Sequence, residues 1–111
     1  MNKVEDLLKQ TLLYDYYGEL LTPQQRKIYE KVLFEDYSLT ETAEEEGISR
    51  QGVYDSIKRT NAALSEYESK LGLVEKREQL KKVLSEIEVQ GDLTAGRVTA
   101  YISQIKEILG I

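Results

Sequence analysis

Arg50, Gln51, Tyr54 and Lys58 lie within a short stretch, and their types and spacing suit contact with a polyanion better than they suit catalysis. On a helix, residues four and eight apart return to one side, so Arg50, Tyr54 and Lys58 would share one face about two turns long. Two cations on either side of an aromatic ring can hold phosphates while the ring stacks on a base or enters a groove. Ser49 adds a hydroxyl at the start of the segment, and Arg59 adds a third cation beyond it. Ser49, Arg50, Gln51, Tyr54, Lys58 and Arg59 are therefore the candidate nucleic-acid-binding residues. The competing reading makes Arg50, Lys58 and Arg59 the positive half of a solvated helix, with Asp55 among them to weaken any anion site.

Residue supply argues against an enzyme. The chain has no histidine and no cysteine in 111 residues, which removes imidazole acid–base chemistry, thiol nucleophiles, disulfides and the usual zinc sites together. No nucleophile–base pair, phosphate-cradling loop or metal-ligand spacing stands out, so neither catalysis nor a cofactor is expected. Glu41, Glu44, Glu45 and Glu46 diverge around a helix axis and read as a solvated acidic face. A net charge of −5 disfavours general polyanion binding, so a nucleic-acid role depends on the local patch. With three phosphate contacts, the log–log salt slope of binding would be about −2.7, shallow for a monomer. No apolar run approaches the roughly 20 residues that span a bilayer, and Glu5 and Asp6 stand where a secretory signal would be basic. The expectation is a cytoplasmic protein without a membrane span.

The element that must position these residues is a helix-turn-helix from Ser38 to Leu71. Ser38 followed by Glu41 is a capping box that opens a short helix. Gly47 closes it where a left-handed backbone suits glycine, Ile48 plugs the turn, and Ser49 caps the next helix. From that cap Val53, Ile57, Thr60 and Leu64 form a stripe that packs on Leu39 and Ala43, leaving Arg50, Gln51, Tyr54 and Lys58 outward. Thr42 and Glu46 occupy places where apolar side chains would normally complete the small core. Either neighbouring helices cover them or the unit is loose.

Around this motif the apolar periodicity predicts further helices. The first, Asn2 to about Tyr17, carries Val4, Leu7, Leu8 and Leu12 on its apolar side, with Tyr14 or Asp15 as the next position of that side, and ends at Gly18. Thr22, Pro23 and Gln25 start a second that runs to about Phe34, with Ile28, Val32 and Leu33 inward and Tyr29 flanking them. The long helix of the motif continues to Leu71 and breaks at Gly72. Two more follow, Glu75 to Gln90 with Leu80, Val83, Leu84 and Ile87 on one face, and Thr94 to Leu109 with Val98, Tyr101, Ile102, Ile105, Ile108 and Leu109. Most of the eight tyrosines fall on or beside apolar stripes and read as packing; Tyr54 is the exception.

Three segments together carry a family resemblance: LLYDYYGELLTPQQRKIYE from Leu12 to Glu30, SRQGVYDSIKRT from Ser49 to Thr60, and SEYESKLGLVEK from Ser65 to Lys76. The chain resembles the YlxM-like family of small bacterial proteins, whose specific motif matches Tyr14, Asp15, Tyr16, Tyr17 and Gly18. Members look like the promoter-reading C-terminal region of sigma factors and are encoded beside protein components of the signal recognition particle. The resemblance implies an accessory or regulatory protein of that pathway, whose partners would be signal recognition particle RNA or protein. The helix-turn-helix itself suggests the alternative, a DNA-binding transcriptional regulator, and a protein–protein adaptor on the same fold without nucleic acid is the other. The reading is thus an all-α, sigma-factor-like helix-turn-helix domain over residues 1–72, with a C-terminal helical extension over 73–111, about five to six helices in all. That extension packs on the first domain or pairs with another copy as a homodimer.

Overall fold

The computed structural model describes residues 3–111, and the expected start of the first helix at Asn2 lies outside them. Six α-helices and no strand occur among the described residues: α1 (Lys3–Tyr17), α2 (Pro23–Leu33), α3 (Leu39–Glu46), α4 (Arg50–Leu71), α5 (Leu73–Gln90) and α6 (Ala95–Leu109). A 3₁₀ turn, Gly18–Leu20, follows α1. The chain divides into two compact units, one ending at Leu71 and the other running from Gly72 to Ile111.

Local chemistry accounts for the helix ends. The Thr22 hydroxyl accepts from the Gln25 N–H at 3.2 Å while the Gln25 side chain accepts from the Thr22 N–H at 2.9 Å. Ser38 and Glu41 form the same reciprocal box at 3.0 and 3.1 Å, which satisfies two otherwise orphaned donors at the start of α3. Gly47 ends α3 at φ +68°, a left-handed conformation that a side chain resists. Its N–H and that of Ile48 both return to the Ala43 carbonyl. Ser49 then accepts from the Gly52 N–H at 2.9 Å and opens α4. One boundary differs from expectation. Helix α5 begins at Leu73 rather than Glu75, because Gly72 leaves the helical region for one residue only (φ +62°) and its carbonyl already accepts from Lys76.

The first unit is held together across α4. Ile28 from α2, Ala43 from α3 and Val53 from α4 form its buried apolar cluster, with Val32, Leu39, Ile48 and Ile57 packed around them. The two residues that looked wrong for the motif are both accommodated. Thr42 is completely buried, and its hydroxyl donates to the Ser38 carbonyl at 2.9 Å, so it acts as a small core residue with its polar atom satisfied. Glu46 is not part of a solvated face: Lys31 of α2 reaches it at 2.8 Å and Glu45 at 3.4 Å, and Glu46 keeps the Lys31 ammonium above its ordinary pKa. Neighbouring α2 covers the gap, and the unit is not loose.

Two expectations about packing are corrected. Tyr29 does not flank the core; it is fully buried in it. The inward side of α1 is also not the leucine-rich one. Val4, Leu7 and Leu8 are exposed, at 67, 44 and 61%, while Leu13 and Tyr17 are buried. The reason is polar keying. Gln10 donates to Asn61 at 3.5 Å and the Tyr17 hydroxyl donates to Glu68 at 2.6 Å, and both residues share the Leu13 side of α1, so these pairs fix which face meets α4.

Along α4, Val53, Thr60 and Leu64 are buried as the stripe required, Ile57 is half-buried, and Ser56 joins them. Thr60 has no solvent exposure and its hydroxyl finds no partner. Thr60→Val keeps the shape and removes the unsatisfied group, so it is expected to stabilise the protein by about 1 kcal/mol. A denaturant midpoint that falls or stays put would show that the hydroxyl is satisfied in solution.

In the second unit α5 and α6 pack on each other through a connection at Gly91, which takes φ +73° and ψ −114°. Val83 is its one buried apolar side chain. Leu80, Ile87, Tyr101, Ile105 and Ile108 are half-buried, whereas Leu84, Val98, Ile102 and Leu109 are exposed. Two helices cannot enclose all of the apolar surface that this pair carries.

Candidate nucleic-acid interface

The Ser49 cap and the buried Val53–Leu64 stripe together set the rotation of α4, and that rotation decides which side chains leave the protein. Ser49, Arg50, Gln51, Tyr54, Lys58 and Arg59 are all exposed. Arg50, Tyr54 and Lys58 follow one another at four-residue spacing, and the Lys58 ammonium sits over the Tyr54 ring at 5.6 Å from its centroid. Tyr54 is 48% exposed, so one side of the ring is open. Arg50, Gln51 and Tyr54 line a shallow cavity of about 430 Å³ together with Leu39, the first residue of α3. Leu39, expected from sequence only to pack under α4, also borders this surface, a placement that no local sequence signal gives.

The six residues are not one cluster. Ser49 uses one lone pair of its oxygen to cap α4, which leaves its hydroxyl hydrogen and a second lone pair for an outside partner. Gln51 donates to Asp55 at 3.0 Å, which orients its amide and partly offsets that carboxylate. Arg59 lies about 180° around the helix from Arg50. Arg50 and Arg59 therefore mark opposite edges of the exposed half, with Tyr54, Lys58, Gln51 and Asp55 between them.

The acidic helix α3 is less of an obstacle than its composition suggests. Glu41 is turned back onto Ser38, whose backbone N–H holds the carboxyl below its ordinary pKa. Glu45 and Glu46 are drawn to Lys31, whose ammonium also lies over the Tyr37 ring at 5.6 Å. No group of carboxylates placed to hold a metal ion occurs among the described residues.

The sequence that builds this helix-turn-helix also matches a known family. Residues 4–105 match the family described as "Putative helix-turn-helix protein, YlxM / p13 like". The chain belongs to this family. Among individual relatives, UPF0122 proteins of Thermoanaerobacter sp. (strain X514) and Caldanaerobacter subterraneus subsp. tengcongensis are each 54% identical to it over 33 residues. Those matches span 30% of this chain and 28% of each relative.

The stretch Tyr14–Gly18, expected from sequence to mark the family, is largely structural. Tyr14 stacks on Tyr29 with ring centroids 5.5 Å apart, and its hydroxyl donates to Glu30. Burial and that carboxylate both push the Tyr14 hydroxyl above the ordinary tyrosine pKa. Gly18 is buried beneath the same ring, where an added Cβ would come within 3.2 Å of it. Tyr17 is 1% exposed and bonded to Glu68. Asp15 and Tyr16 alone of the five point to solvent. The partners Glu30 and Glu68 were missed because they lie 16 and 51 residues along the chain from their tyrosines.

Proposed function

We propose that this protein is a nucleic-acid-binding regulatory or accessory factor that docks the exposed face of α4, and that it acts in the signal recognition particle pathway in the cytoplasm. The observation that carries the binding reading is the Arg50–Tyr54–Lys58 face, two cations around a half-open ring on a helix whose other side is locked into the core. Arg50 and Arg59 at opposite edges suit the two phosphate walls of a groove, with Gln51 and Tyr54 between them to meet bases. Assignment to the pathway rests on the resemblance to the YlxM-like family. No enzymatic activity is proposed.

The test is fluorescence anisotropy of the full chain against labelled signal recognition particle RNA, duplex DNA and single strands across a salt series. Contacts from Arg50, Lys58 and Arg59 to a duplex predict a slope of about −2.7, against roughly −5 to −9 for proteins with six to ten contacts. Preference for duplex DNA would favour a transcriptional regulator. Absence of binding to every nucleic acid at low salt would leave a protein-binding adaptor built on the same fold.

We also propose that the protein is a homodimer paired through the second unit. Its support is the exposed row of Leu84, Val98, Ile102 and Leu109 beside a single buried apolar residue. A dimer would double the phosphate contacts and set a half-site spacing. Leu84→Glu with Ile102→Glu is expected to halve the mass seen by light scattering without loss of helix signal. A parent protein that already runs as a monomer would remove the idea.

A further inference from the structure

The side of the first unit formed by α1 and the end of α2 carries a second surface, separate from α4. Thr11, Tyr14, Asp15, Glu30, Phe34 and Glu35 line a cavity of about 370 Å³. Its floor is aromatic. The Phe34 ring is 40% exposed and packs against Tyr14 at 5.3 Å and Tyr29 at 6.2 Å, so the ring is fixed from below and open above. The cavity continues as an apolar strip. Val4, Leu8, Thr11 and Asp15 follow at helical spacing, with Leu7 beside them, and the three aliphatic residues are exposed at 44 to 67%. From Val4 to Asp15 the strip is about 16 Å long, three helical turns.

The rim of this groove is acidic. Glu30 accepts the Tyr14 hydroxyl and has Arg26 one turn before it, which offsets its charge. Among the described residues no lysine or arginine is ion-paired with Asp15 or Glu35. An exposed apolar strip of this length that ends in a cavity suits an amphipathic helix, read at its own i, i+3, i+4 and i+7 positions. Carboxylates at one end select positive charge on that helix and repel phosphate, which excludes nucleic acid here. We propose that this groove is a docking site for a basic amphipathic helix of a partner protein, with apolar residues along Val4, Leu7, Leu8 and Phe34 and a lysine or arginine between Asp15 and Glu35.

The chain has no tryptophan, so a tryptophan in the probe reports binding without interference. The probe is an eighteen-residue leucine–lysine–arginine amphipathic peptide carrying one tryptophan, titrated into the full-length protein. Its emission should shift to the blue on binding, and a glutamate version of the same peptide should not bind. Asp15→Lys with Glu35→Lys should weaken binding at least about tenfold, because like charges then face each other across the contact. Glu86→Lys with Glu88→Lys alters net charge equally on the other unit and should leave binding unchanged. Equal weakening by both pairs would reduce the effect to overall charge and overturn the site. So would binding of the glutamate peptide, or no binding of the basic one. A changed mass of the Asp15/Glu35 variant by light scattering would instead make the groove a contact between copies, which also overturns the proposal.

Discussion

Tyr29→Ala is expected to lower the unfolding free energy by roughly 3–5 kcal/mol. Tyr29 has no solvent exposure, its ring stacks on Tyr14 and meets the edge of Phe34, and its hydroxyl donates to Asn61 at 2.5 Å. Truncation would remove the centre of the aromatic layer and leave Asn61 with Gln10 alone at 3.5 Å. Tyr29→Phe separates the two contributions: it keeps the ring and loses the hydrogen bond, for about 1 kcal/mol. Urea melts of the three proteins check both values. An alanine variant within about 1 kcal/mol of the parent would mean that the layer is not packed as described.

The same residue makes a pH signature. Burial, with a smaller contribution from Tyr14, pushes the Tyr29 hydroxyl up to about 12 from an ordinary value of 10.0. The folded state therefore keeps its proton where the unfolded chain loses it. The neutral hydroxyl's stabilisation is fully present below pH 10 and is lost as pH rises from there through about 12. Tyr29→Phe should flatten the fall in stability over that window, measured by melts at constant salt. A phenylalanine variant that declines as steeply as the parent would assign the alkaline loss to other groups.

How far these features could be read from sequence depends on whether they are local. Ser38–Glu41, Thr22–Gln25, Gly47 and the Val53–Leu64 stripe are set by neighbours within a turn or two, and the helices and caps follow from them. The polar pairs that join α1 and α2 to α4 are not local. Tyr17 and Glu68 are 51 residues apart, and Tyr29 and Asn61 are 32 apart. Hydrophobic periodicity alone therefore turned α1 the wrong way, toward Val4, Leu7 and Leu8, and placed Tyr29 at the margin of the core. Thr42 and Glu46 were legible as anomalies and not as solutions, since one is satisfied by its own helix and the other by Lys31 from the next. At the candidate interface the exposed face was readable from spacing, because it is the complement of the buried stripe. The capping role of Ser49 was readable too, from its place just after the turn, whereas the bond of Gln51 to Asp55 and the entry of Leu39 into the surface required the folded geometry.

Arg50→Ala together with Lys58→Ala should weaken duplex binding roughly 50-fold near 0.1 M salt, the counterion-release contribution of two phosphate contacts. Both side chains are exposed and neither is part of the buried core, so circular dichroism and the melting curve should stay as in the parent. The salt slope should shrink by about 1.8, which distinguishes loss of phosphate contacts from a general loss of affinity. Arg59→Ala then asks whether the far edge of α4 is engaged: a further fall of about 0.9 means that it faces the second phosphate wall, and no change means that a single strand is tracked. Tyr54→Ala reports on the ring, since stacking on a base is worth about 1–3 kcal/mol, and Tyr54→Phe should retain it. If the double variant binds DNA, RNA and protein partners as the parent does, this face is solvated surface. Function would then have to be sought on the acidic groove of α1 and α2 or on the apolar face of α5 and α6.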